Sequence, residues 1–277
     1  MRVHVCGVRG STPAPGPEFV RYGGHTSCVA LAHDGEAPSL VIDAGTGLRR
    51  VTGLLEGNPF RGSILLGHLH WDHTQGLPFF AAGDRPDASC HLYLPEQGDP
   101  AEVLGRALSP PHFPIGPHQL RGEWSFAGLS PGHHHIEGFS VLALDIPHKG
   151  GRTFGFRVSD GTATVAYLSD HSPLTLGSGP EGLGEYHPAA VTLAQGADLL
   201  FHDAQHTADE LEAKWAFGHS AVEYALGLAK ETSVRRLLLF HHDPPRTDEG
   251  VDAILAAHRN GPVAVEAAAE GTVYDLP

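Results

Sequence analysis

The feature that most constrains this chain is an apolar run that ends in metal-ligand chemistry. Leu65-Leu66 reads as the end of a buried strand, and Gly67 releases His68-Leu69-His70-Trp71-Asp72-His73. Alternate side chains of an extended segment share a face, so His68 and His70 can reach one ion. Asp72 and His73 follow the bend and can turn toward another. Imidazole with carboxylate suits zinc, manganese or iron, and the crowding suggests two ions. A solvated loop accounts poorly for such a cluster directly after an apolar strand.

Three later segments repeat the pattern of apolar strand followed by His or Asp. Leu142–Ile146 leads through Pro147 to His148, Ala166–Ser169 leads to Asp170, and Leu237–Phe240 leads to His241. With the first cluster they make seven ligands, enough for two ions sharing one carboxylate. The protein has 21 His against 18 Lys and Arg, scattered too widely to be a tag. Three cysteines (Cys6, Cys28 and Cys90) lie far apart and make neither a disulfide framework nor a thiolate site.

Short apolar runs separated by Gly and Pro clusters predict a sheet-rich protein. Strands are expected at Arg2–Cys6, Ser27–Ala32, Ser39–Ile42, Ser63–Gly67, Ser89–Leu94, Phe139–Ile146, Thr153–Ser159, Thr164–Ser169, Asp198–His202 and Arg235–Phe240. Helices are expected at Ala189–Gln195, Ala221–Lys230 (with Ser220 as N-cap) and Asp248–His258. Pro95–Gly132 reads as an insertion or lid, and His133–His135 as a turn. No linker or internal repeat divides the 277 residues, which predicts one domain over 1–277. The net charge of −14 disfavours a grip on long nucleic acid or an anionic membrane. No basic leader or membrane-length apolar stretch opens the chain, so a cytoplasmic location is expected.

The motif HLHWDH resembles the HxHxDH signature of the metallo-β-lactamase fold hydrolases, and the later segments follow in that family's order. The resemblance implies an α+β fold, a four-layer αββα sandwich with the metals at one edge between its sheets. It implies that His68, His70 and His148 hold the first ion and Asp72, His73 and His241 the second, with Asp170 bridging. Asp43, in Val41–Gly45, matches a supporting aspartate. Two divalent metal ions, zinc or else manganese or iron, are the implied cofactor. A bridging Asp170 and the lack of a cysteine ligand set the chain apart from the β-lactamases themselves.

Other segments resemble the ribonuclease Z and phosphodiesterase branch. Leu200–Gln205 places Asp203 where that branch has a glutamate, and Gly218-His219-Ser220 resembles its histidine-bearing segment. Gly7–Pro13 and Tyr22–Ser27 resemble N-terminal loops of bacterial members. The chemistry implied is attack of a metal-bound hydroxide on a phosphodiester. His219, polarised by Asp203, protonates the leaving oxygen or stabilises charge, and Asp72 joins these two as a catalytic residue. The expected partner is a small anionic phosphodiester such as a cyclic nucleotide, with no membrane and a homodimer allowed. The alternatives are a ribonuclease Z-like nuclease, a lactone or thioester hydrolase, and a non-catalytic or di-iron redox module.

Overall fold

A computed structural model describes residues 1–179 and 181–277. Two seven-stranded sheets lie face to face. The first runs in the order β14 (Val273–Asp275), β1 (Arg2–Gly7), β2 (Cys28–Ala32), β3 (Leu40–Ile42), β4 (Arg61–Leu65), β5 (Ser89–Pro95), β6 (Glu123–Leu129). The second runs β13 (Ala264–Ala267), β12 (Arg236–Phe240), β11 (Leu199–Asp203), β10 (Thr164–Leu168), β9 (Phe154–Ser159), β8 (Phe139–Asp145), β7 (Gly132–Ile136). Helices α1 (Leu48–Leu54), α2 (Trp71–Thr74) and α3 (Pro100–Gly105) belong to the first half of the chain. The second half carries α4 (Pro188–Ala194), α5 (Ala208–Lys214), α6 (Val222–Glu231) and α7 (Asp248–His258).

The period of two in the strands dictates the four layers. In β12, Leu238 and Phe240 point to the space between the sheets, while Leu237 and Leu239 pack with Leu228 of α6. In β11, Leu199 and Phe201 face inward and Leu200 faces the helices. On the other sheet, Val29 and Leu31 face the shared core, whereas Ala30, Val41 and Ile64 pack with Leu48 and Val51 of α1. Strands buried on both faces read as continuous apolar runs, which is why the sequence shows LLLF and not alternation. The result is an α+β sandwich of the αββα type in one domain. Phe201 is fully buried and packs edge-on against Phe240 with ring centroids 5.5 Å apart. Phe201→Ala is expected to cost about 3–5 kcal/mol in denaturant unfolding. A loss below about 1 kcal/mol would mean that the inter-sheet core tolerates a cavity there.

Each of the ten expected strands and three expected helices has a counterpart, with shifts of a few residues at the ends. Three readings need correction. His133–His135 is strand, not turn: it pairs with β8 in a hairpin that turns at Glu137-Gly138. Its polar residues suit the exposed edge of a sheet, where they discourage further pairing. The stretch Pro95–Gly132 is not wholly an insertion, because β6 extends the first sheet from within it. Trp124 and Phe126 alternate toward the outer core, a period hidden among the surrounding prolines. Ser220 does not cap α6; Ala221 stands at the N-cap, and no side chain bonds there.

Strand direction positions the site. β10, β11 and β12 are parallel, and β8 shares their direction because both it and β10 run antiparallel to β9. β3 and β4 are likewise parallel. The segments that follow β3, β4, β8, β10, β11 and β12 therefore leave their strands at one rim, as ligand sites do at the carboxyl ends of parallel strands. Seven non-glycine residues have positive φ among the described residues, and four of them gather here: Ser11, Asp43, Asp170 and His241, at 57–61°. This left-handed backbone is costly for residues with a Cβ, and such strain concentrates at functional sites.

Candidate functional site

His68, His70, His148 and Asp170 each offer a ligand atom, and these atoms lie within 4.8 Å of one another; the same holds for Asp72, His73, Asp170 and His241. Asp170 belongs to both groups. Its Oδ1 lies 3.7 Å from His68 Nε2 and 3.6 Å from His148 Nε2, while its Oδ2 lies 2.9 Å from His73 Nε2 and 3.1 Å from His241 Nε2. One carboxylate thus faces a set of imidazoles with each oxygen.

The donor chemistry fits divalent cations. His68 Nε2 and His73 Nε2 are fully buried without a hydrogen bond, a cost that coordination would remove. Burial holds His68, His70 and His148 below the usual histidine range, which keeps them neutral as ligands must be. Burial would lower His73 as well, but Asp170, Asp72 and Asp43 push it well above that range. Burial works to raise Asp170, yet His241, His73 and His68 hold it well below the carboxylate range. The buried carboxylates that draw a proton onto His73 are negative charge that a cation would neutralise in its place.

A ring of contacts fixes these side chains. Asp43 is fully buried, accepts from Gly67 N at 2.7 Å and from Tyr167 OH at 2.6 Å, and bonds His73 Nδ1 at 2.7 Å. It thereby points the other nitrogen of His73 toward Asp170. Partners of this kind typically tune metal affinity by about 10–100-fold. Asp43→Ala is accordingly expected to weaken metal binding by about that factor in a chelator competition, with the fold retained. Unchanged affinity would reduce Asp43 to a core polar group. Ser11 N donates to Asp72 Oδ2 at 2.7 Å, and Gln205 Nε2 donates to Ser11 Oγ at 3.2 Å. The backbone of Ser11 thus orients Asp72.

Asp203 and His219 meet as a pair. His219 Nδ1 bonds Asp203 Oδ2 at 2.8 Å, and Asp203 also accepts from the backbone of His171 and Gln205 at 3.2 and 3.0 Å. The ligand atoms of Asp203, His219 and His241 also lie within 4.8 Å. We assign that third group to hydrogen bonding, since both Asp203 oxygens already have donors. Burial would lower His219, but Asp203 dominates the opposing charges and lifts it to about 9.

Two cavities open at this rim. One, of about 630 Å³, is lined by Asp72, His148, Asp170, Gln205, His206 and His219 among others. The second, of about 600 Å³, starts at His68 and shares Leu69 and Trp71 with the first. Sequence reasoning did not single out Gln205, His206 or Trp71 as site residues. His206 has both ring nitrogens buried without partners and lies 6.0 Å, ring to ring, from His219. Only its position three residues after Asp203 could have flagged it.

Several neighbours have structural occupations. Lys149 Nζ donates to Ala216 O and sits over the Trp215 ring at 5.4 Å. His171 bonds His202 at 3.1 Å, and His242 bonds Ala268 O at 2.9 Å. His25 Nδ1 lies 3.3 Å from Thr46 Oγ1.

A face-to-face double sheet with converging histidines and aspartates at one rim defines a divalent-metal-dependent hydrolase of the metallo-β-lactamase fold. The family model described as Beta-lactamase superfamily domain matches residues 39–242, and the chain belongs to that family. Ribonuclease Z of Salinibacter ruber is 25% identical over 266 residues, covering 78% of this chain and 79% of that protein. Over 52 residues, ribonuclease Z of Lactococcus lactis is 52% identical, but the match covers just 19% of this chain and 17% of that one. Among solved structures, the metallo-beta-lactamase fold protein YhfI from Bacillus subtilis superposes with a TM-score of 0.73 at 20% identity. That match covers 99% of this chain and 98% of YhfI, and shows likeness of fold.

Proposed function

We propose that this protein is a binuclear phosphodiesterase acting on a small anionic diester, with zinc as the favoured metal. The observation that carries the reading is the Asp203–His219 pair at 2.8 Å, beside a cavity that Asp72, His148 and Asp170 also line. A lactone or thioester makes less demand on such a pair, because its alkoxide or thiolate leaves an acyl centre that is neutral at the start. A phosphodiester expels an alkoxide from an anion, and that oxygen needs a proton or a positive charge.

Two divalent cations held by His68, His70 and His148 and by Asp72, His73 and His241, with Asp170 between them, would acidify water and neutralise the phosphate. The remaining work falls to side chains. Asp72 receives Ser11 N–H, and approaches His241, through Oδ2, which leaves Oδ1 to take the proton of the attacking water. As the bond from that water to phosphorus forms and the leaving bond breaks, His219 gives its Nε2 proton to the departing oxygen. Asp203 holds the ring by Nδ1 and stabilises its charge.

Ribonucleases Z are among the relatives of this chain, so a nuclease is the second reading. The net charge of −14 weakens the hold on a long polyanion. A panel on zinc- and manganese-loaded protein separates the readings: bis(p-nitrophenyl) phosphate, a cyclic nucleotide, a lactone, a β-lactam and a precursor transfer RNA. Diester turnover well above the others is the expected result. Efficient transfer RNA cleavage at physiological salt would establish the nuclease, and lactone turnover without diester turnover would reject both.

A further inference from the structure

The second cavity has no part in the chemistry above, yet it opens from the same metal-ligand segment. Its apolar lining comes from Leu69, Trp71 and Phe79 and from Leu104, Leu108 and Phe113. The last three come from 104–113, in α3 and the turns after it, within the segment that sequence reasoning took for a lid. Trp71 is 74% exposed and Phe79 66% exposed, although α2 places Trp71 directly between His70 and Asp72. Phe79 meets Phe113 edge-on with ring centroids 5.9 Å apart. Large aromatic faces left open beside a reactive centre mark a binding surface, and about 600 Å³ is ordinary for a small-molecule site.

The arrangement of the two cavities says which part of a substrate would enter. His219 lines the first cavity and not the second, so a leaving group protonated by His219 departs on the first side. A phosphate held by cations between these ligands would sit beside Leu69 and Trp71, which line both cavities. The ester arm that is not expelled then extends past His68 into the second cavity. We propose that this retained arm ends in a planar aromatic ring, seated against Trp71 and Phe113. The inference rests on the phosphodiesterase reading for the identity of the arm. Flat rings are favoured over aliphatic arms because the exposed walls are themselves aromatic faces and edges. Gln97 and Arg106 also line this cavity, placing polar groups within it.

The test holds the leaving group constant and varies the retained arm. Methyl p-nitrophenyl phosphate and phenyl p-nitrophenyl phosphate both expel p-nitrophenolate. The phenyl ester should have the higher kcat/KM by about 10–100-fold, the scale of one stacked ring, carried by KM. Trp71→Ala and Phe113→Ala should each reduce that phenyl-to-methyl ratio about tenfold, with metal content and melting temperature checked in both. Phe113 lies outside the metal-ligand segment, so its variant decides the matter if Trp71→Ala disturbs the cations. Thymidine 5′-(p-nitrophenyl) phosphate, run beside the phenyl ester, tells a nucleobase from a simple aryl group. In parallel, diphenyl and dimethyl phosphate are titrated calorimetrically into zinc-loaded protein. Tighter binding of diphenyl phosphate, lost in Phe113→Ala, supports the subsite even if no diester is turned over, an outcome that would reject the phosphodiesterase reading alone. A ratio near one in the unsubstituted protein, or a ratio unchanged in both variants, overturns the proposal.

Discussion

Asp170→Ala is expected to strip metal and activity together while leaving the sandwich folded. No other side chain belongs to both ligand groups, and its two oxygens face different imidazoles at 2.9–3.7 Å. Removing it leaves each group one ligand short and takes away the charge that a pair of close cations needs between them. Elemental analysis should fall from about two equivalents to well below one, and hydrolysis to the level of chelator-treated protein. Thermal melts should show a folded chain, since both sheets bury their cores without this side chain. The same melts should show that added zinc raises the melting temperature of the unsubstituted protein and scarcely moves the variant's. A variant that keeps both ions and its rate would remove Asp170 from the centre. Loss of one ion with the other fully retained would make Asp170 a ligand of a single site.

His219→Ala is expected to lower kcat by roughly 10²–10⁴, the range of a lost general acid, without loss of metal. His219 bonds Asp203 through Nδ1, which leaves Nε2 free for the proposed proton transfer. Asp203→Asn should give a smaller loss, because it removes the orienting charge but leaves the ring. The defect should shrink on p-nitrophenyl esters, whose leaving group scarcely needs a proton. It should be full on alkyl esters. Equal losses on both would turn the role into stabilisation of phosphate charge. If the variant loses metal and keeps its rate per metal, His219 is a ligand, and the third group of converging side chains, Asp203, His219 and His241, is a metal site.

What was legible in the sequence was local chemistry. His68 and His70 could be paired from strand periodicity alone, and His148, Asp170 and His241 were visible because each lies within three residues of the end of an apolar strand. Short-range signals failed where the pattern was brief or masked. β6 lies among prolines, β7 carries three polar residues on an edge, and β13 and β14 span only four and three residues. The cap of α6 was misplaced by one position because a serine next to a helix start is a frequent but not an obligatory cap.

The amino-acid sequence by itself determined the fold class, the family and the hydrolytic character of the protein. Strands buried on both faces can only be satisfied by covering each face of a sheet, and a tight cluster of histidine and aspartate after such a strand has few uses other than metal. The tertiary structure decided how these residues share their work. Asp170 divides its oxygens between two sets of imidazoles, Ser11 orients Asp72 across 61 positions, and Gln205 reaches Ser11 across 194. The structure also set Trp71 and Phe113 around one cavity. None of these relations has a period or a motif, because each arises where loops from different strands meet, and the meeting is set by the packing of the two sheets.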